Sequence, residues 1–521
     1  MAIFKIREAD RLKLLSTKSP VLVLQNIVNA VFGIVALFFV TRFYPTAWGV
    51  LAFAIGFVGL FTLINDLGYT TAGVRTISNE QSPEEANGTL LMIKLALGGI
   101  FIVVSVLSLF LWVYVLHKGF EYQAEFWACL ELIPYYLFTS LIGFTQANFT
   151  AKISPARMGI PSMVESALRN SLIIALVLLS VRNIIPVSAD DMMLILPGIY
   201  SFTFGIYLAV SQFMGRPWRI GRPTRKMLST LTALALPLAL SSSIAVINGN
   251  IDKVLIQFFY HADATGAFYL NQRLITVVSN FAAAISVFFI PLLTRAAKTG
   301  DLQKLGETIR DHERFITLFI APVVVVSILL GKFILNLFGG YYSGYALLLP
   351  LLSLSALFNI SAQPFYSAVV ARGKTLAVAY ITTLTMLVNI ALNLILIPQT
   401  FLGFTGLSLG VTGAGVSTMV ASLLMNLSYR VYLRKEIHLK LRTRTIYMVI
   451  PAIIQGAFLW VILMFVQPNP VVELLPLALI AILIFYAVAL AMRFTTYGEL
   501  SNFLRNVSPF RLRHHLKDER N

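Results

Sequence analysis

Apolar residues in this chain run in long blocks, without the alternation of a half-buried strand and with too few charges for the face of a soluble helix. About 20 such residues form a helix that crosses a bilayer. The pattern predicts fourteen of these, over 20–41, 46–69, 89–116, 125–149, 159–181, 192–214, 228–259, 265–294, 315–337, 345–370, 375–397, 411–432, 446–467 and 471–492. Ahead of the first block, Phe4, Ile6, Leu12, Leu14 and Leu15 are interspersed with Lys5, Arg7, Arg11 and Lys13. Residues 1–19 therefore read as an interfacial lead-in helix and not as a cleavable signal peptide. Residues 301–314, with Leu302, Leu305 and Ile309 among charges, read either as a second surface-lying helix or as a solvated connector, and the basic stretch 503–517 as a tail on anionic lipid.

Composition agrees. Of 521 residues 58% are hydrophobic and only 12% charged, at a mean hydropathy of +0.80. A soluble protein carries roughly 25% charged residues, so the class is polytopic membrane protein. A disulfide-stapled secreted domain is excluded, because Cys129 is the sole cysteine.

The net charge of +17 changes the picture only once it is located. With the N-terminus inside, 32 of the 40 Lys and Arg fall in inner segments, and only Arg42, Lys118, Arg182 and Lys332 in outer ones. That bias predicts both termini cytoplasmic, and it assigns the charge to topology and lipid headgroups instead of nucleic acid.

An internal repeat is also legible. Phe43-Tyr44 with Trp48-Gly49 matches Phe259-Tyr260 with Thr265-Gly266, and Ala156-Arg157 matches Ala371-Arg372, at offsets of 215 to 217. The expected architecture is all-α: two six-helix lobes related by a pseudo-two-fold axis, plus two C-terminal helices. The expected boundaries are 1–18 for the lead-in helix, 19–214 for the N-lobe and 215–227 for a cytoplasmic linker rich in Gly, Pro and Arg. The C-lobe then covers 228–436, and spans 13 and 14 with the tail cover 437–521.

Ionisable groups inside hydrocarbon cost several kcal/mol, roughly 2.5 to 3.5 each, so they are functional candidates by default. Those singled out within the predicted spans are Asp66, Lys94, Glu131, Glu165, Arg169, Asp252, Lys253 and Arg273. Asp66 and Lys94 lie near the cytoplasmic ends, where capping or snorkelling is the plain reading. Glu165 and Arg169, four apart, share a helix face and can pair. Asp252 and Arg273 come to similar depths, which predicts a contact between them and leaves Lys253 near the lipid–water interface. Uncharged polar candidates are Gln25, Asn26 and Asn29 on span 1, Asn248 and Asn250 on span 7, and Asn389 with Asn393 on span 11. The last two offer amide oxygens to a coupling cation; helix packing is the competing reading for the whole set.

The sequence resembles the multidrug/oligosaccharidyl-lipid/polysaccharide (MOP) flippase superfamily, and within it the polysaccharide-transport, Wzx-like O-antigen flippase branch. The resemblance rests on Gly68-Tyr69 with Arg75, Pro237 through Ile251-Asp252-Lys253, Gly266 with Tyr269, and Pro291. Further support comes from Phe338-Gly339-Gly340-Tyr341-Tyr342, Ala371-Arg372-Gly373-Lys374, 389–398 and Gly413-Ala414-Gly415. Segment 399–411 is longer than the family's usual connection here. The resemblance implies a lobe-paired carrier in a prokaryotic plasma membrane that moves a polyprenyl-(pyro)phosphate-linked oligosaccharide from the cytoplasmic to the outer leaflet. On that reading Arg273 is the first candidate for the phosphate, with Arg169, Lys253, Asp252, Glu165, Asp66, Asn29, Gln25 and Asn248 as cavity candidates. No cofactor or metal is expected, and the chain is expected to be a monomer that works with membrane lipids and with polymerase or glycosyltransferase machinery. A cation-coupled multidrug antiporter and a lipid II flippase are alternatives within the superfamily. An integral membrane enzyme is disfavoured, because the six histidines sit in predicted loops or tails and form no metal or catalytic spacing.

Overall fold

Backbone in hydrocarbon has to satisfy its own hydrogen bonds, and within one segment only a helix does so. The computed structural model follows that rule over the residues it describes: 8–79, 83–152, 154–215, 218–401, 403–437, 447–466, 468, 473–495 and 498. In the first half of the chain these form α1 (Glu8–Phe43), α2 (Pro45–Asp66), α3 (Tyr69–Asn79), α4 (Pro83–Phe110), α5 (Gln123–Ala151), α6 (Pro155–Val181) and α7 (Ala189–Met214). The second half holds α8 (Arg225–Phe259), α9 (Ala262–Thr299), α10 (Leu302–Phe338), α11 (Leu348–Ala371), α12 (Thr375–Leu396), α13 (Gly410–Ile437), α14 (Val449–Phe465) and α15 (Leu474–Ala491). Large apolar side chains such as Leu95, Val103 and Leu107 on α4 and Leu475 and Leu483 on α15 are more than half exposed, as lipid-facing residues are.

Every predicted block is thus helical over its described residues, and these do not by themselves give a count of fourteen spans. Among the described residues eleven helices are long and apolar enough to cross a bilayer, or twelve if α8, bent by 41° between Leu240 and Ser242, is one span. The lead-in is continuous with α1 from Glu8; residues 1–7 and the tail 503–517 lie outside the described residues.

Two compact units are present, Ile27–Tyr269 and the pair Met1–Asn26 with Leu270–Asn521. In the first, α2 packs along α8, α5 and α4, and α7 packs on α5 and α6. In the second, α11 lies between α10 and α13, α12 packs on α13, and the α14–α15 pair docks on α10. The helix pairs α4–α5, α5–α7 and α6–α7 therefore recur as α10–α11, α11–α13 and α12–α13, which is the internal repeat in packing form. One correspondence needs correction. Arg372 is the C-cap of α11, whereas Arg157 lies inside α6; the mate of Arg372 is Lys152, the C-cap of α5, so the offset has grown to 220. The Phe43/Phe259 match holds, since these residues end α1 and α8.

The expected surface helix over residues 301–314 is instead the first three turns of α10. Asp301 caps them, its carboxylate accepting from the Lys304 amide at 2.9 Å, and no breaker separates them from the apolar block. Leu305 and Ile309 are fully buried with Leu293, Phe365 and Tyr429, so their apolar face meets protein and not lipid. The long 399–411 connection folds into a hairpin, β1 (Thr400–Phe401) against β2 (Phe404–Thr405), turned at Gly403 with φ of +84°. This takes up the extra residues and leaves α13 starting at Gly410.

Candidate functional site

On α6, Ser162, Glu165 and Arg169 recur at spacings of three and four and so share one face. On α7, Tyr200, Thr203, Phe204 and Tyr207 do the same, and the two faces meet. Arg169 is held by Glu165 at 3.3 Å, and its guanidinium lies 4.6 Å from the Tyr200 ring centroid and 5.9 Å from that of Phe204. Glu165 also accepts from the Thr203 hydroxyl at 3.3 Å. Arg169 Nε is buried with no acceptor among the described residues. Around this pair runs a polar chain: Asn29 of α1 donates to Ser162 at 3.4 Å, Ser162 bonds the Tyr207 hydroxyl, and Gln146 of α5 donates to that hydroxyl at 3.2 Å. Tyr135 packs edge-on against Tyr200 and Phe204. Glu131, one turn before Tyr135, leaves Oε2 buried with no hydrogen-bond partner among the described residues. Arg169, Glu165 and Asn29 are thus brought together.

Asp66 and Lys94 form a second site. The chain leaves α2 through Leu67 and Gly68, both left-handed (φ of +42° and +80°), and this turn lets Asp66 cap α3 by accepting from the Thr70 amide at 3.1 Å. The same carboxylate takes the Thr70 hydroxyl and the Lys94 ammonium, which also donates to Thr70 Oγ1 at 2.9 Å. Lys94 does not snorkel: its side chain is 1% exposed, against 37% for Asp66.

α8 approaches α2 closely because α2 presents glycine there. A Cβ on Gly56 would come within 2.8 Å of Lys253 Cβ, and one on Gly59 within 2.8 Å of Asn250 Oδ1. Lys253 is consequently buried, donating to the Gly249 carbonyl at 2.6 Å with its ammonium 5.2 Å from the Tyr269 ring. It is not at the lipid–water interface, where its position beside Asp252 suggested. Asp252 is buried as well, and Asn248 is exposed. Asp252 belongs to the first unit, and half-buried Gln25 and Arg273 to the second. Asn393 donates to the Asn389 carbonyl oxygen at 3.3 Å, a bond within α12 that occupies one of the oxygens considered for a cation.

Two buried clusters escaped the sequence reading. Glu313 of α10, 2% exposed, meets Arg430 of α13 at 2.5 Å. Arg430 also donates through Nε to Asn426 at 2.5 Å and lies 4.4 Å from the Phe365 ring, while Asn426 donates to the Phe358 carbonyl and to Ser361, each at 2.8 Å. The signal available was Asn426 one helical turn before Arg430. Replacing Arg430 with lysine removes the fork and the Asn426 bond, and is expected to lower unfolding free energy by about 1.5 kcal/mol, read as the thermal midpoint in detergent. The other cluster is Glu125, buried and accepting from Gln257 at 3.2 Å, with Thr265 donating to Gln257 at 3.0 Å. Among the described residues no group of His, Cys, Asp and Glu is placed to hold a metal ion.

Comparison with known proteins adds the following. The model of a family described as "Polysaccharide biosynthesis protein" matches residues 16–297. The capsular polysaccharide biosynthesis protein CapF of Staphylococcus aureus is 28% identical over 169 residues, 32% of this chain and 42% of that one. The probable lipid II flippase MurJ of Haemophilus influenzae is 24% identical over 352 residues, 63% of this chain and 65% of that one. The matched stretches thus span less than two thirds of the length of these relatives. Among solved structures, lipid II flippase MurJ in an inward closed conformation superposes with a TM-score of 0.66 at 17% identity, covering 91% of this chain and 99% of that one. An inward-facing MATE multidrug transporter gives 0.61 at 14% identity, covering 79% and 94%. The fold is the one these transporters share.

Proposed function

We propose that this chain, which belongs to the polysaccharide biosynthesis protein family of the MOP flippase superfamily, turns a polyprenyl-(pyro)phosphate-linked oligosaccharide from the inner to the outer leaflet of a prokaryotic plasma membrane. Membership supports a multi-pass membrane flippase or transporter of polysaccharide biosynthesis, and relatives named as a lipid II flippase and a multidrug transporter are carriers. The cargo and the direction are the proposal, as are cytoplasmic termini and division of the chain into lobes at 215–227.

The observation that supports the cargo best is the α6–α7 face. A guanidinium lies over aromatic rings inside a run of hydroxyls and amides from Asn29 to Gln146. Sugars offer hydroxyls to such groups and flat C–H faces to aromatic rings, and a lipid phosphate takes a guanidinium bidentately. An extruder of organic cations has little use for a fixed cation there. The Arg169–Glu165 bond is a resting contact, exchanged for substrate when the carrier loads, and Arg273 on α9 is the phosphate candidate of the other unit.

The test is reconstitution in liposomes with a fluorescent polyprenyl-pyrophosphoryl oligosaccharide in one leaflet. Exchange well above the protein-free rate is expected. Arg273→Lys, which keeps the charge and loses the planar fork, should slow it about tenfold, the equivalent of one charge-assisted hydrogen bond. Exchange at the protein-free rate under every ion gradient, with export of an organic cation dye instead, overturns the reading.

A further inference from the structure

The connection after α7 is not a slack tether. The described part of it, residues 218–224, is tied to the first turns of α4: Gly221 donates to the Glu84 carbonyl at 2.8 Å, Asn87 donates to the Arg219 carbonyl at 3.3 Å, and the Thr224 amide donates to Thr89 at 3.4 Å. Gly221 is glycine because its Cα faces the Glu84 backbone, 2.9 Å from where a Cβ would be. Trp218 is wedged edge-on against Phe149 and Phe144, at 4.9 and 5.9 Å between ring centroids. This segment therefore forms a fixed strap across the end of α7.

Between strap and helix is a groove of about 660 Å³, walled by Ala209, Val210 and Phe213 on α7 and by Trp218 and Ile220 on the strap. Phe213 is 70% exposed and Ile220 57%. Soluble proteins rarely leave such a concave apolar surface bare. α7 is long and apolar enough to span the bilayer, so a groove along its last turns opens towards acyl chains. The same strap carries cations at its rim. The Arg219 side chain is 82% exposed and pairs among the described residues with half-exposed Glu84 at 3.5 Å, and Arg222, with Arg225 and Lys226 just beyond at the start of α8, is exposed. An apolar slot at the edge of hydrocarbon with guanidinium groups at headgroup level is complementary to one kind of molecule.

We propose that this groove is a binding site for an anionic phospholipid of the adjoining leaflet, one acyl chain lying on Phe213, Trp218 and Ile220 and the phosphate meeting Arg219 and Arg222. The lipid then serves as a wall of the α7 end, and the strap reads the charge of the leaflet. A zwitterionic lipid fills the slot but gains nothing from the cations, because its headgroup carries its own ammonium.

Trp218 reports on its own site. The full-length protein is reconstituted in phosphatidylcholine nanodiscs doped with lipid brominated on its acyl chains, and the Trp218 emission is taken as the difference between the protein and its Trp218→Phe variant. Brominated phosphatidylglycerol should quench that component at a mole fraction about thirtyfold below that needed by brominated phosphatidylcholine, the factor for two interfacial cations. Arg219→Gln with Arg222→Gln, both at exposed positions, should bring the two lipids to parity, and Ala209→Phe, which fills the slot, should abolish quenching by both. Should the double variant fold poorly, Arg222→Gln alone is expected to reduce the preference about fivefold. Equal quenching by both lipids in the unaltered protein reduces the site to ordinary boundary lipid and overturns the proposal. Quenching by neither leaves the slot to another occupant, such as a peptide, and overturns it equally.

Discussion

Replacing Gly266 with leucine is expected to destabilise the protein by about 3 kcal/mol or more, and replacing it with alanine by about 1 to 3. Gly266 on α9 is the repeat mate of Gly49 on α2, and the two lie against each other. A Cβ on Gly266 would fall 2.9 Å from the Gly49 Cα and 3.1 Å from its nitrogen, and one on Gly49 would fall 2.7 Å from the Ala262 carbonyl carbon. The obstacles are backbone atoms, which cannot swing aside as a side-chain tip would. Movement is further restricted by Trp48, whose indole donates to the Gly266 carbonyl at 3.1 Å while its ring stacks on Tyr269 at 4.9 Å. Any added carbon therefore separates α2 from α9 and strips Trp48 of both contacts. Gly99→Ala is the control: its Cβ meets nothing within 4 Å, so helix propensity alone acts and the midpoint should hold or rise. Thermal unfolding in detergent measures all three. A Gly266→Leu protein that melts like the unaltered one rules out the close approach.

Asp66→Asn should cost about 3 to 5 kcal/mol, the usual penalty for stranding one member of a buried ion pair, and should cost more than Lys94→Met. The asymmetry comes from exposure. With asparagine at 66, the Lys94 ammonium, 1% exposed, loses its counter-charge and keeps only neutral oxygens such as that of Thr70; with methionine at 94, the Asp66 carboxylate keeps the Thr70 amide and hydroxyl and reaches water through its 37% exposure. The double variant leaves no stranded charge, and its stability should lie above that of Asp66→Asn alone. A double-mutant cycle on thermal midpoints decides this, with additive losses contradicting the pairing.

The helices were legible because crossing a bilayer requires long apolar blocks, and each block folded as one. Contacts between distant residues were not. Glu313 and Arg430 are 117 positions apart, Glu313 among the charges ahead of one predicted span and Arg430 near the end of another, so nothing local marks them as partners. Residues 301–314 looked like a surface helix for the same reason: amphipathicity shows that a face is buried, not whether lipid or Phe365 and Tyr429 bury it. The Glu165–Arg169 pair, by contrast, followed from a spacing of four. Lys253 was misplaced because its burial depends on Gly56, which belongs to another helix; the recurrence of glycine at 49, 56 and 59 on one side of α2 was the available clue. The repeat was found at its start and lost its register by Arg372, since loops of unequal length separate the paired helices.

The border between the two compact units falls at Tyr269 and Leu270, eight residues into α9, and at Asn26 and Ile27 within α1. Neither crossing is a loop. Both are continuous stretches of hydrogen-bonded helix, which curve gently along their length unless a proline, a bulge or an inserted group breaks the ladder. A displacement of one unit is therefore transmitted through two stiff rods as strain and is not lost in slack chain. Any movement of one unit would have to bend α1 and α9, so helix bending stiffness, more than the length of any connecting loop, would set its cost.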